Sequence, residues 1–484
     1  MKSQLTKLSI GFGMLLLLLV GNLTYLQVFD ASSLNNRADN KRSLFKQYDV
    51  DRGAIIVSGQ PVAYSVKTTG RFKFERRYVS TAFTHPVGYL SSIYGAAGIE
   101  QSENSLLSGA ADSLAVDRLR QLLDGGARRG ASVSLTLDSA AQQLAFQLLG
   151  NRPGAVVAIE PKTGRLLVSA SSPSFDANLL ATTNAETMQT SWQRLLSDPA
   201  QPLLNRSYAQ TWAPGSTFKL IVAAAAVESG RYNLTTKIPA PASYQIPGSS
   251  RSISNWQNGP CNSSGEVTLL QAIEVSCNTA FARLGIELGE ERIGKTAAAF
   301  GFGDNFALPG ATASVFPTKL NNAELALSAI GQFDVRATAL QMAQLAAAIG
   351  NEGVVMSPQL IDQVFAPNLT LLRQADSNVF NRAVKPTTAA ALTQMMSAVV
   401  ANGTGSNARI AGIEVAGKTG TAQTRPGRTA HAWFIGFAPA NSPKVAIAVV
   451  LEGGAAGSSS REVSGNELAA PIARSLLVEL LETK

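Results

Sequence analysis

The chain opens on an unbroken apolar stretch. From Leu8 to Phe29 no residue is charged, and the run L-S-I-G-F-G-M-L-L-L-L-L-V-G-N-L-T-Y-L-Q-V-F shows no polar face. As a helix it would be roughly 33 Å long, enough for a hydrocarbon core of about 30 Å. A buried helix of a soluble protein rarely looks like this so close to the start of a chain. A cleaved signal is the competing reading, but its best Ala-ending site, after Ala31, leaves Phe29 where a small residue is wanted. The pattern therefore predicts an uncleaved single-pass anchor over residues 8–29, behind a tail of residues 1–7. Charge does not orient it. Lys2, Lys7 and the terminal amine favour an inside N-terminus, whereas Arg37, Lys41, Arg42 and Lys46 follow closely and oppose it.

Beyond the anchor the texture changes three times. Residues 30–50 are polar, with Asn35, Asn36 and Asn40, and read as a stalk. Two strand-like runs follow, Ala54–Val57 and Val62–Val66, with Gly59 and Gln60 in the turn between them. One helical pattern lies near Leu114–Leu123. From Gly154 the runs G-A-V-V-A-I-E and R-L-L-V-S-A-S, joined by P-K-T-G, read as a β-hairpin. Ala/Leu-rich helical stretches fill residues 216–400, and strands return at Ile413–Thr421, Ala432–Ala438 and Val445–Leu451. Leu468, Ile472, Leu476 and Leu480 recur at helical spacing in a terminal amphipathic helix over 467–484. Strands at both ends of a helix-rich middle predict an α+β domain whose first and last strands meet in one sheet. The expected division is an anchor at 8–29, a non-catalytic module and linker at 30–153, and a catalytic domain at 154–484.

Composition narrows the chemistry. A chain of 484 residues that is 45% hydrophobic and 15% charged has ample material for a large core. Its only histidines are His85 and His431 and its only cysteines Cys261 and Cys277, without metal-ligand spacing, so a His/Cys zinc or iron site is not expected. Neither histidine lies near a nucleophile elbow, which argues against a Ser-His-Asp hydrolase. The net charge of +8 is spread along the chain, with no block suited to nucleic acid. It permits attraction to an anionic surface without requiring it.

The candidate chemistry begins at P-G-S-T-F-K, Pro214–Lys219. Pro-Gly makes a turn and Ser216 opens a strongly apolar helical run. Serine there is ordinary capping chemistry. But Lys219 lies three residues on, on the same face. Burial and the positive end of the helix would lower its pKa, and a neutral lysine beside a serine hydroxyl is a base beside a nucleophile.

S-x-x-K is a weak pattern by itself. Ser43–Lys46 also matches; S-x-N occurs at Ser33, Ser102, Ser276 and Ser464; K-T-G occurs at Lys162 and Lys418. Context separates them. Ser43 lies in the polar stalk, and Lys162 in a hairpin turn where K-T-G is common turn chemistry. Ser276-Cys277-Asn278 follows one helical run and precedes another, so it suits an interhelical loop. Lys418-Thr419-Gly420-Thr421 follows a strand-like segment that can line a cleft.

In that order, S-T-F-K, S-C-N and K-T-G resemble the three motifs of penicillin-binding proteins and serine β-lactamases. D-R-G-A-I-I at Asp51, L-T-L-D at Leu135, S-S-P-S-F-D at Ser171, A-I-G-Q at Ala329 and H-A-W-F-I-G-F-A-P at His431 extend the resemblance from the anchor to the C-terminus. The whole resembles a class B penicillin-binding protein, of the actinobacterial PbpA type with its short N-terminal module. Two departures stand out: Phe333 follows A-I-G-Q where the family more often has Gly, and Ala339 stands where it often has Pro.

The resemblance implies a fold and a reaction. The fold is an antiparallel sheet with helices on both faces. The reaction is peptidoglycan D,D-transpeptidation through a serine acyl-enzyme, without a cofactor or metal. Ser216 would be the nucleophile, Lys219 the general base and Ser276 a proton relay. Asn278, Lys418, Thr419, Gly420 and Thr421 would bind the donor peptide, with the N–H groups of Ser216 and Thr421 as the oxyanion hole. The implied partners are stem peptides, lipid-linked precursor strands, β-lactams, a membrane glycan polymerase of the SEDS type and division-complex proteins. The implied topology is N-terminus inside and catalytic domain outside. Cys261 and Cys277 would then sit where disulfides persist, and either a bond bracing the cleft or two buried thiols fits them. A class A β-lactamase needs a deacylating Glu, and Glu324-Leu325-Ala326-Leu327-Ser328 reads instead as helix surface. A D,D-carboxypeptidase and a non-catalytic division scaffold are the alternatives.

Overall fold

The computed structural model describes residues 2–30, 47–69, 72–123, 127–250, 252–255, 258–423, 430–453 and 464–482. Most of the expected stalk lies outside the described residues, including Ser33, Ser43, Arg37, Lys41, Arg42 and Lys46.

Helix α1 (Lys2–Thr24) runs on into a π-helical turn, Tyr25–Phe29. Its apolar stretch, Thr6–Gln27, is long enough to cross a membrane, and none of it is buried against the protein.

The first module is built on a six-stranded sheet. Strands β1 (Ile55–Val57) and β2 (Gln60–Lys67) form a hairpin turned by Ser58 and Gly59 at φ 48° and 75°. Two residues at positive φ give the turn whose twist matches the strands, so Gln60 pairs with Val57 instead of lying in the turn. Strand β3 (Phe74–Tyr78) flanks β2. Helix α2 (Ala115–Leu123) precedes β4 (Ser132–Leu135), which runs parallel to β1. The sheet is completed by a hairpin from much later in the chain: Ile361–Phe365 pairs with β4, and Leu371–Gln374 forms the edge.

A buried ion cluster holds this module. Glu100 accepts from Arg52 Nε and Arg76 Nε, each at 2.6 Å, and from Tyr78 Oη at 3.2 Å. Burial alone would push the Glu100 carboxyl up, but the two guanidiniums outweigh it and hold the group below the usual carboxylate range. Such a cluster tolerates loss of one member poorly, because the remaining charge is stranded. It explains the Arg of D-R-G-A-I-I, which the motif alone does not.

The second domain begins with α3 (Ser139–Leu149), capped by Asp138 of L-T-L-D, whose Oδ1 accepts from Ala141 N at 2.8 Å. Strands β5 (Gly154–Ile159) and β6 (Leu166–Ser172) form the expected hairpin. Three late strands join them: β7 (Ala416–Ala422), β8 (His431–Ala438) and β9 (Val445–Leu451), in the antiparallel order β7-β8-β9-β5-β6. First and last strands meet at β9 and β5. Every residue of β5, β6 and β9 is buried, as two covered faces require.

Helices of the middle segment follow: α4 (Lys219–Glu228), α5 (Leu269–Glu274), α6 (Asn278–Leu288), α7 (Asn322–Ala329), α8 (Ala339–Gly350) and α9 (Pro386–Ala401). Helix α8 packs on one face of the sheet; the terminal helix α10 (Gly465–Glu482) and α3 share the other. Ile472, Leu476 and Leu480 form the buried stripe of α10, as their spacing predicts. The middle is less helical than its Ala/Leu content suggests. Lys237–Pro239 pairs with Glu266–Thr268 and Ser243–Gln245 with Ser252–Ser254, because polar, Gly- and Pro-rich sequence there favours turns.

Candidate active site

Ser216 lies in a single 3-10 turn, Gly215–Phe218, that leads into α4. Gly215 stands at φ 54° and Gly331, of A-I-G-Q, at φ 73°. Both places are crowded. A Cβ on Gly215 would lie 2.7 Å from the Thr421 carbonyl oxygen, and one on Gly331 2.0 Å from the Gly215 carbonyl oxygen. Gly215 N donates to Gly331 O at 2.9 Å. The turn is thus pressed between the A-I-G-Q segment and strand β7. Trp433 of β8 holds it from beneath, donating from Nε1 to Ala213 O at 3.1 Å and packing edge-on against Trp212.

Ser216 is not the helix cap that its position suggests. No side chain caps either the turn or α4, and among the described residues the half-buried Ser216 hydroxyl makes no hydrogen bond. It is left available to a substrate.

Lys219 is fully buried at the first turn of α4. Its Nζ donates to Ser276 O at 2.7 Å, Asn278 Oδ1 at 2.7 Å and Ser276 Oγ at 3.3 Å. The expected lysine and serine share a turn, but the amine is bonded to the S-C-N segment and not to the Ser216 hydroxyl. The cause lies in the Ser276 backbone. At φ 59° it takes a left-handed conformation within the α5–α6 loop, and its carbonyl accepts from Lys219.

Asn278 is the first residue of α6. Cys277, at its N-cap, offers no side-chain cap. Asn255 supplies one from a distance: its Oδ1 accepts from Asn278 N at 3.0 Å and Thr279 N at 2.9 Å, while Nδ2 donates to Pro241 O and Gly259 O. Cys277 is bonded to Cys261, with an S–S distance of 2.04 Å.

Lys418 and Thr419 lie on β7, the edge strand of the sheet. Lys418 Nζ donates to Ser276 Oγ and to Thr419 O, each at 2.9 Å. The hydroxyl of Thr419 is 2.8 Å from that of Thr404, whose N–H donates to Glu274 O at the end of α5. A Cβ on Gly420 would lie 2.9 Å from Pro214 O, so this glycine lets the strand approach the serine turn. Thr421 is half-buried at the same edge.

The electrostatics follow from burial. Lys418 is pushed down to about 7 by desolvation. Lys219 is driven well below the ordinary lysine range, first by burial and then by the Lys418 charge. Two amines in a dry cleft cannot comfortably both be charged. The arrangement supplies one neutral amine that can take a proton and one cationic seat for an anion.

The other motif matches have no such surroundings. Lys162 is exposed in the β5–β6 turn, where Thr163 Oγ1 donates to Glu160 Oε2. Ser102 is exposed, and Ser464 caps α10 by accepting from Glu467 N. Glu324 is half-buried, and its carboxylate accepts from Asn321 N in the capping box of α7. Asn255, Thr404, Gly331 and Trp433 escaped the motif reading. Only Gly331 and Trp433 lay within segments already marked by resemblance; Asn255 and Thr404 are ordinary polar residues of ordinary loops.

Residues 154–477 match the model of the penicillin-binding protein transpeptidase domain. The chain belongs to that family. Residues 52–133 match the penicillin-binding protein A dimerisation domain. Among curated relatives, the chain is 38% identical to the peptidoglycan D,D-transpeptidase PbpA of Mycolicibacterium smegmatis, over 99% of each chain. It is 39% identical to PbpA of Mycobacterium tuberculosis, over 100% of this chain and 99% of that one. Among solved structures, it matches penicillin-binding protein A of M. tuberculosis as a ceftriaxone acyl-enzyme with a TM-score of 0.86, covering 90% of this chain and 99% of that one at 37% identity. The imipenem acyl-enzyme matches with a TM-score of 0.84 and 38% identity, over 90% of this chain and 100% of that one. Against this transpeptidase fold the two departures are mild. Phe333 adopts φ 58° on the surface, a conformation that a glycine would take more easily. Ala339 starts α8 behind Thr338, whose hydroxyl accepts from Gln341 N.

Proposed function

We infer that this chain is a peptidoglycan D,D-transpeptidase of cell wall synthesis, acylated by β-lactams at Ser216. The observation that carries the reading is the meeting of Lys219, Lys418 and Asn278 around Ser276, beside a serine hydroxyl left free at the edge of β7.

Ser216 Oγ attacks the carbonyl of the penultimate D-Ala of a stem peptide, and its proton passes to the neutral Nζ of Lys219. The N–H groups of Ser216 and Thr421 receive the oxyanion; one such donor is worth about 3–4 kcal/mol in a comparable hydrolase. The C–N bond breaks as the terminal D-Ala amine takes a proton through Ser276 Oγ, which touches both lysines. Lys418 and the hydroxyls of Thr419 and Thr421 hold the donor carboxylate. Asn278 orients the peptide amide. An amine on a neighbouring stem peptide then attacks the ester, releasing Ser216 and closing the cross-link. Glu324 is engaged in capping α7 and is not free to hasten hydrolysis of a penicilloyl ester.

The same reading places α1 in the cell membrane with the N-terminus inside and the catalytic domain outside, where peptidoglycan is built. That α1 buries none of its apolar surface in the protein supports this. The role in division, together with a SEDS-type glycan polymerase and division-complex proteins, rests on resemblance.

Lipid-linked precursor supplied with a partner polymerase and the purified full chain tests the reading by mass spectrometry. Cross-linked dimers should form with the wild type and not with Ser216→Ala. Trimmed monomers alone would mark a carboxypeptidase, and dimers made by Ser216→Ala would remove the serine from the mechanism.

A further inference from the structure

One carboxylate oxygen gathers three donors just upstream of the nucleophile. Glu452 follows directly on β9. Its Oε1 accepts from Gln210 Nε2 at 2.9 Å, Arg206 Nε at 3.0 Å and Trp212 Nε1 at 3.3 Å. All three donors belong to one strap, Arg206–Ala213, which runs straight into Pro214-Gly215-Ser216. Arg206 is buried, and its two Nη atoms donate to Gln201 O and Ala200 O, so the guanidinium is held on every side.

Glu452 is itself held in place. Its N–H donates to Pro153 O at 2.8 Å, and the next N–H, that of Gly453, donates to His431 Nδ1 at 3.0 Å. His431 thereby fixes the main chain beside the carboxylate. Trp212 carries the constraint towards the site. Its backbone exchanges two hydrogen bonds with Ala337, at 2.9 and 2.8 Å, and its ring meets that of Trp433 edge-on at 5.9 Å. Trp433 in turn bonds the carbonyl of Ala213, the last residue before Pro214.

Ser216 needs such support. Its hydroxyl makes no hydrogen bond among the described residues, so its aim is set by the backbone that carries it. A misplacement of about 1 Å at a reacting atom can cost on the order of 100-fold in rate. We propose that Glu452 is a positioning residue for Ser216: its shared acceptor oxygen locks the strap, and Trp212 and Trp433 pass that register to the serine turn. This rests on Ser216 being the acylated residue, as inferred above. The seats assigned to the donor carboxylate, Lys418, Thr419 and Thr421, lie on β7, away from the strap's attachments to Glu452. Glu452 therefore acts on the acylation step and not on the binding that precedes it.

The test is stopped-flow acylation of the full chain by a chromogenic cephalosporin, resolved into the binding constant and the saturating acylation constant. Active-site titration with fluorescent penicillin puts each constant on a per-active-molecule basis, so a loss of stability alone leaves it unmoved. Glu452→Met removes the acceptor and keeps the bulk. Its saturating constant should fall roughly ten-fold, with binding changed less than two-fold. Because Glu452→Met strands the Arg206 charge, the double variant Arg206→Met with Glu452→Met removes both charges and should be as slow. Glu452→Gln keeps an acceptor oxygen without the charge and should recover most of the rate. Acylation at the wild-type constant in Glu452→Met and in the double variant would reduce Glu452 to a prop of the fold and overturn the proposal. So would a Gln variant as slow as Met, which would deny the acceptor its part. Weakened binding with an unchanged saturating constant would make Glu452 a substrate contact instead. Ser216→Ala is run alongside: labelling that survives it would overturn the nucleophile assignment, and slow Glu452 variants beside an unlabelled Ser216→Ala support the positioning role.

Discussion

Lys219 and Lys418 converge on one oxygen, Ser276 Oγ, at 3.3 and 2.9 Å. The free enzyme therefore holds two buried amines around a single neutral relay. Acylation needs Lys219 neutral and Lys418 charged. The rate of penicillin acylation should rise as Lys219 loses its proton, then fall above about pH 7 as Lys418 loses its own. Removing the Lys418 charge lets the Lys219 pKa climb back, so Lys418→Met should move the rising limb to higher pH. Lys418→Arg does not titrate in this range and should lack the falling limb. A stopped-flow profile of second-order acylation constants decides it. A falling limb that persists in Lys418→Arg would assign that limb to another group.

The same burial makes Lys418 a burden on the fold. Its folded pKa lies below the unfolded one, so the unfolded chain binds the extra proton between about pH 7 and 10.5. The penalty is therefore at its full size below pH 7 and fades as pH rises towards 10.5. Lys418→Met should raise stability by roughly 2 kcal/mol or more at neutral pH while acylation slows. Stability and function are in conflict there. Thermal unfolding at pH 6 and pH 10 measures it, and the gap between variant and wild type should narrow at the higher pH. A less stable variant would mean that the hydrogen bonds of Lys418 outweigh its desolvation.

Much of this was legible from residues. The anchor, the β5–β6 hairpin and the return of three late strands follow from runs of apolar residues, and S-T-F-K, S-C-N and K-T-G carry their own order. What was not legible depends on distant pairing. Nothing in I-D-Q-V-F, Ile361–Phe365, says that it adds to a sheet begun at Ile55, because an antiparallel partner is chosen by the three-dimensional edge it meets. Arg52 and Arg76 read as surface cations until Glu100 is placed between them. The direction of Lys219 likewise depends on the positive φ of Ser276, which a serine does not advertise.

Asn255 shows what a residue without a motif can do. Asn255→Ala removes the acceptor of Asn278 N and Thr279 N and uncaps α6. A lost cap costs about 1 kcal/mol, and here the freed amide belongs to the residue whose side chain bonds Lys219. Acylation should slow several-fold, with a loss of stability of that size. Asn255→Asp keeps the acceptor and gives up the donor to Pro241 O and Gly259 O, so it should recover much of the rate. If Ala and Asp are equally slow, the cap is not what matters.

The Cys261–Cys277 bond ties the loop before α5 to the middle residue of S-C-N. Closing a loop of that size stabilises by about 3 kcal/mol in the chain-entropy model. Neither sulfur belongs to the reacting set. Reduction or Cys261→Ser should therefore lower the melting temperature and slow acylation without abolishing it. Thiol counting on denatured, unreduced protein establishes the starting state. Two free thiols, or rates unchanged on reduction, would end the bracing role.

Thr404 offers the sharpest test of positioning. Its hydroxyl bonds that of Thr419, and its N–H bonds the carbonyl of Glu274, two residues before Ser276. One small residue thus joins the K-T-G strand to the helix that ends in the S-C-N loop. Gly403 beside it is pressed so close that a Cβ there would lie 2.3 Å from Glu274 O, which leaves the loop little room to shift. Thr404→Val keeps the shape and deletes the hydroxyl. Thr419 then loses the partner that fixes its rotamer, and a hydroxyl meant for the donor carboxylate is free to turn away. A neutral hydrogen bond is worth about 1 kcal/mol, so acylation should fall roughly five-fold. The pH profile should not move, because neither lysine is touched. Thr404→Ser, which restores the hydroxyl, should restore most of the rate. A Val variant as fast as the wild type would show that Thr419 needs no partner. A Ser variant as slow as Val would show that the methyl group, through packing, is what the loop requires.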